Sequence, residues 1–192
     1  MGISAAAFHC DITPPLGHPL CAGWYPPAKA IEDSLSAHGL ILAGEGESPV
    51  VLCALDWAEL SNGDYRRWRE ELAVAVGTEP DRVAVHCVHQ HDTPWPDRDA
   101  QDILDAHGFP DVIMAGDWCE RARGGAADAA AEAMGRLATC SSSGSISSAS
   151  WRWAWSAFIT AWRQRGDSVC PASAWVSVRI RCCSWRIIVR PP

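Results

Sequence analysis

The chain has 192 residues, 48% hydrophobic and 20% charged, which suits one soluble globular domain or a domain with a further segment attached. No apolar run approaches the roughly 20 residues needed to cross a bilayer, which excludes an integral helical membrane protein. The first ten residues, Met1 to Cys10, lack a basic leader, and as written the product is expected in the cytoplasm.

Charge is not shared evenly. Of 23 acidic residues only Asp167 lies beyond residue 139, so residues 1–139 carry −13 and residues 140–192 carry +6. The second segment has no Lys and holds six of the 11 Trp. Such a break divides the chain into two differently composed parts, 1–139 and 140–192. Nine Cys, odd in number and without a CxxC pair, argue against a zinc ribbon or a thioredoxin-type site. They read as mostly buried free thiols in a reducing compartment.

In chain order, residues 3–10 read as a strand, closed by the prolines of Asp11-Ile12-Thr13-Pro14-Pro15. Residues 16–30, punctuated by Gly and Pro, read as an irregular loop. A hairpin follows, 37–42 and 49–55 about a Gly44–Ser48 turn. Its second arm, Val50-Val51-Leu52-Cys53-Ala54-Leu55, is apolar throughout, the pattern of a strand buried on both faces. That arm ends on Asp56, at the carboxyl end of a central strand, where ligands collect in open α/β sheets.

Ser61 is a helix N-cap candidate with Asp64 in the first turn. Tyr65, Trp68, Leu72, Ala75 and Val76 recur at helical spacing until Gly77 stops the run. A second buried strand is expected over 82–88, then a loop to Pro96, an acidic helix over 97–107, and a long helix over 111–135 weakened by Gly124-Gly125. This order indicates an α/β or α+β layered domain: a mixed sheet flanked by helices.

The residues that carry chemistry are Val85-His86-Cys87-Val88-His89-Gln90-His91-Asp92-Thr93-Pro94, three His and an Asp where a strand runs into a Pro-containing loop. Residues two apart in a strand share a face, so His89 and His91 are expected to project together, with His86 packed. Neutral imidazole is a common zinc ligand, and Asp92 is a candidate to orient a ring. By pattern alone a His-X-His pair reads more readily as two loop histidines than as a metal site.

Asp11-Ile12-Thr13-Pro14-Pro15-Leu16-Gly17 resembles the opening of the neutral/alkaline ceramidase family. The resemblance continues in order through Leu55-Asp56, the helix after Ser61, Pro80-Asp81-Arg82-Val83 and His89-Gln90-His91-Asp92-Thr93-Pro94, over roughly residues 3–137. It implies a zinc-dependent amidase acting on the N-acyl bond of ceramide-like lipids, a step in sphingolipid metabolism. His89 would bind zinc and His91 would serve catalysis beside it. Asp11, Asp56 and Asp92 would support the site or serve only the fold.

This sequence departs from the family where Gln90-His91-Asp92-Thr93 makes the loop bulkier and acidic. Asp92 is placed to pair with His91 and raise its pKa. The family's further zinc ligands, a His, a Glu and a Tyr, have no counterpart: no His follows His107, and the two Tyr lie upstream of the motif. The chain therefore reads as a divergent, truncated fragment of a ceramidase-like catalytic domain, inactive as it stands.

Residues 140–192 begin Ser-rich and continue through Trp151-Arg152-Trp153-Ala154-Trp155. Loss of Lys, Glu and Tyr with gain of Trp, Arg, Ser and Cys is what an out-of-frame reading of GC-rich DNA yields, and disorder is the other reading. The rival function is a non-catalytic protein whose Trp/Arg tail binds a membrane surface or nucleic acid. Under the amidase reading the partners are a lipid amide and no nucleic acid, with room for peripheral membrane contact. A hydrolase of another kind is disfavoured by the lack of GxSxG, HExxH and P-loop patterns.

Overall fold

The computed structural model describes residues 2–140. The chain divides into two units, 1–141 and 142–192, and the described residues all belong to the first. The expectations for the Trp/Arg-rich tail lie outside the described residues.

Eight elements follow in order: β1 (Ile3–Asp11), β2 (Ser36–Gly44), β3 (Val50–Leu55), α1 (Asn62–Val76), β4 (Val83–Cys87), α2 (Arg98–Ala106), α3 (Trp118–Met134) and β5 (Ala138–Cys140). The strands form one mixed sheet, ordered β4-β3-β2-β1-β5. β1, β2 and β3 run antiparallel in sequence, β5 is antiparallel to β1, and β4 is parallel to β3. The parallel step is the one crossed by α1, as a parallel connection requires. With its helices the sheet makes an α+β domain.

One face of the sheet makes the core. Phe8, Ala37, Ile41, Val51, Cys53, Leu55, Val83 and Val85 point inward against Trp68, Leu72 and Val76 of α1 and the alanine face of α3. α1 and α3 lie on that same side, tied by an Arg123–Glu71 ion pair. Close approach of α3 to β1 explains Gly125, where an added Cβ would lie 3.1 Å from Cys10 Sγ. The Gly124-Gly125 pair does not interrupt α3, because tertiary packing outweighs helix propensity.

Among the described residues nothing packs over the opposite face, which corrects three expectations. β3 is not buried on both faces: Leu52 is 43% exposed while Val51, Cys53 and Leu55 are fully buried. β4 is likewise one-sided, with Ala84 and His86 exposed and Val83 and Val85 buried. His86 is therefore not a packed histidine. Strict inward-outward alternation decides this, not the apolarity of the run.

The helix expected over 111–135 begins only at Trp118. Gln101, 1% exposed, holds the preceding segment away from helical geometry. Its Oε1 accepts from Ile113 N–H (2.7 Å) and Met114 N–H (3.3 Å), and its Nε2 donates to Phe109 O (3.2 Å). Asp111 and Gly116 adopt positive φ, 56° and 60°, which no α-helix accommodates. The other helix ends agree with the sequence reading. Asp97 caps α2 by accepting from Ala100 N–H at 3.0 Å, and Gly77 ends α1 at φ 70°. Ser61 is the N-cap of α1, although its side chain makes no capping hydrogen bond.

His18 links the early loop to the segment before α3. Its Nδ1–H donates to Pro19 O (2.7 Å), its Nε2 accepts from Ala115 N–H (3.4 Å), and its ring meets Trp118 edge-on at 4.8 Å. Burial pushes this imidazole below its ordinary pKa, against the opposing pull of the Pro19 carbonyl and Asp111. His38 is shifted the same way, by burial and then by His9, with Asp56 opposing. For a base with a lowered folded pKa, the unfolded chain takes up the proton first. Stability from these two residues is therefore complete above the unfolded value of about pH 6.5 and is lost as pH falls from there through their lower folded pKa values. Urea midpoints at pH 7.5 and pH 5 should show the drop, and His38→Gln should reduce it.

Candidate functional site

The histidine loop leaves the sheet just beyond the end of β4. The chain continues the parallel pairing for two more residues: Val88 N–H donates to Leu55 O (3.0 Å) and His89 N–H to Trp57 O (3.1 Å). His89 then turns the backbone with φ 64°. A positive φ at a residue other than Gly is uncommon and clusters at functional positions. From there residues 90–96 run back beside 57–61, with Ala58 N–H donating to Pro94 O (2.9 Å) and Ser61 N–H to Pro96 O (3.4 Å).

The loop is pinned from within and from outside. Thr93 Oγ1–H donates to Gln90 O at 2.5 Å. Cys21 N–H donates to Thr93 O (2.9 Å), and Cys21 Sγ–H donates to the His91 carbonyl. Cys21 and Ala22 both have positive φ, 45° and 55°, so the early loop bears its own strain where it meets the histidine loop. Trp24 and Trp95 approach across the same junction, with ring centroids 6.1 Å apart. Nothing in the scattered cysteine spacing singled out Cys21.

His89 and His91 do meet, ring centroids 5.0 Å apart and planes at 87°. The cause differs from the one expected. The strand has ended at Cys87, and the left-handed turn at His89 brings the rings together, not the strand pleat. His89 Nδ1–H donates to Ala58 O at 2.9 Å. A carbonyl can only accept, so Nδ1 carries a proton, and in the neutral ring Nε2 is the nitrogen left with the lone pair. That is the tautomer a metal-ligating histidine adopts, with its other nitrogen fixed by a backbone carbonyl.

None of the three aspartates bonds the His89 or His91 ring among the described residues. Asp92 is exposed and makes no hydrogen bond to either imidazole among the described residues. The Ala58 carbonyl is what orients His89, which corrects the role expected for Asp92. Asp11 Oδ1 accepts from Thr13 N–H at 2.8 Å, a local turn that holds its carboxyl below the ordinary range. Asp56 Oδ2 accepts from Ser36 N–H at 2.9 Å, tying β3 to the start of β2, while burial pushes its carboxyl up.

Beside His89 lies a cleft of about 330 Å³ lined by Ala58, Glu59, Leu60, Tyr65 and Cys87 among others. Burial, helped by the charge of Glu59, pushes the Cys87 thiol up to about 12, so it is no nucleophile at neutral pH. Among the described residues no three His, Cys, Asp or Glu side chains are grouped to hold a metal ion. His89 has the geometry of one ligand, and the described residues do not complete a set.

The fold is similar to that of neutral ceramidase from Pseudomonas aeruginosa, at 13% identity and a TM-score of 0.49 over 71% of this chain and 21% of that one. A ceramidase complexed with C2 is similar at 13% identity and a TM-score of 0.52, over 71% and 22%. The likeness at these identities is one of fold. The chain spans about a fifth of the length of these structures. No protein-family model and no curated protein matches the sequence. Among the described residues no helix is long and apolar enough to cross a membrane.

Proposed function

We propose that this segment carries the metal-bearing corner of a zinc-dependent amidohydrolase that cleaves the N-acyl amide of a ceramide-like lipid. The observation that supports it is His89: a turn residue at the carboxyl end of the parallel pair, its Nδ1–H held by the Ala58 carbonyl so that Nε2 is the nitrogen left to ligate. Zinc bound there would supply Lewis acidity and an acidified water. The chain's own residues do the positioning. Trp57 and Ala58 set the His89 backbone and ring, and Cys21 and Thr93 fix the loop that carries His91. His91, exposed and 5.0 Å from His89 between ring centroids, is placed to hydrogen-bond a substrate oxygen or pass a proton to the leaving amine.

A catalytic zinc needs three protein ligands with one position open. The described residues contribute one, so this reading gives the segment a share of the site, with slow turnover at best. The test is release of fatty acid from a short-chain N-acyl sphingosine by the full chain in zinc. Whatever release is detected should vanish with a chelator and fall to background in His89→Ala. Hydrolysis that ignores the chelator, or that survives His89→Ala, contradicts the proposal.

A further inference from the structure

The sheet face that no described residue packs over carries a row of histidines unrelated to the loop. His9 on β1 pairs directly with His38 on β2, His38 with Ala54 on β3, and Ala54 with His86 on β4. These positions alternate outward, away from the core formed by Phe8, Ala37 and Cys53. The His9 and His38 rings are 4.8 Å apart between centroids, inclined at 49°. Histidines directly opposite on antiparallel strands are held by the backbone ladder, so the pairing costs little further ordering.

We propose that His9 and His38 together bind a divalent transition-metal ion, zinc being the ion to test, as a clamp across β1 and β2.

Three features support the assignment. The His38 ring makes no hydrogen bond to any described residue, so neither ring nitrogen is taken up by one. His9 Nε2 lies 3.0 Å from Ser36 Oγ, which steadies the ring while Nδ1 has no partner among the described residues. The Asp56 carboxylate, bound to Ser36 N–H, feels the charge of both imidazoles and supplies negative potential beside the pair. No third described His, Cys, Asp or Glu is placed to complete a cluster, so water would fill the remaining positions. The affinity is expected below that of a four-ligand structural zinc site.

The experiment is zinc protection of histidines in the full 192-residue chain against diethylpyrocarbonate, mapped peptide by peptide. Saturating zinc should slow modification of His9 and His38 together by at least about tenfold. Exposed His107, whose ring bonds the Ile103 carbonyl, should be unaffected. His38→Gln should abolish protection at His9, and His9→Gln should abolish it at His38. Protection of neither residue, of only one, or of His9 in His38→Gln overturns the proposal. The unsubstituted chain gives the primary reading, so it stands even if a variant folds poorly. His89 and His91 are read in the same maps, so the two sites succeed or fail separately.

Discussion

Replacing Trp57 by alanine is expected to destabilise the domain by about 3–5 kcal/mol and to loosen the histidine loop with it. Trp57 is fully buried, meets Trp68 edge-on at 5.5 Å between centroids, and lies 5.3 Å from Trp118. It thus joins α1, α3 and the end of β3 at one point. Its Nε1–H donates to Ile12 O (3.3 Å), and its own carbonyl accepts from His89 N–H. Truncation leaves a cavity between two tryptophans that cannot collapse without moving both helices. Trp57→Phe keeps most of the packing and loses the hydrogen bond, so it should cost about half as much or less. Urea unfolding of the two variants measures the difference. A loss under about 1 kcal/mol for Trp57→Ala would show that this junction is not the centre of the core.

The second large effect is at Gly39. It pairs with Phe8 across β1 and β2, and the far end of the Phe8 ring lies over it. A Cβ at Gly39 would fall 1.9 Å from two ring carbons, far inside van der Waals contact. Phe8 is 5% exposed and hemmed by the core, so the ring has nowhere to go. Gly39→Ala should cost about 3 kcal/mol or more through overpacking. Phe8→Leu shortens the offending side chain, so the double variant should be more stable than Gly39→Ala alone. That non-additivity is the signature of direct contact, measured by a double-mutant cycle. Simple additivity would contradict the placement of the ring.

Much of the fold is legible along the chain because the local rules agree with one another. The Gly44–Ser48 turn between two apolar arms gives the β2–β3 hairpin, and Trp68, Leu72 and Val76 mark the buried side of α1. What could not be read depended on distant partners. The late start of α3 follows from Gln101 reaching across to residues 109–114, a contact no local periodicity records. The open sheet face was hidden because Val50 to Leu55 is apolar whether or not its outer side is covered, and Leu52 is left exposed. β5, three residues long, falls at the boundary where the composition changes.

The site divides the same way. The His89–His91 pair could be named from the sequence, yet the turn that joins the two rings and the carbonyl that orients His89 could not. Asp92 was the nearest acidic residue in sequence, but a backbone carbonyl 31 residues away holds the ring.

The most direct measurement is an NMR titration of the ¹⁵N-labelled chain with zinc, following the His89 imidazole nitrogens. Zinc on Nε2 should shift that resonance while Nδ1 stays protonated and bonded to Ala58. Shifts confined to other histidines, with His89 unchanged at saturating zinc, would contradict the claim that this turn is the metal-bearing corner.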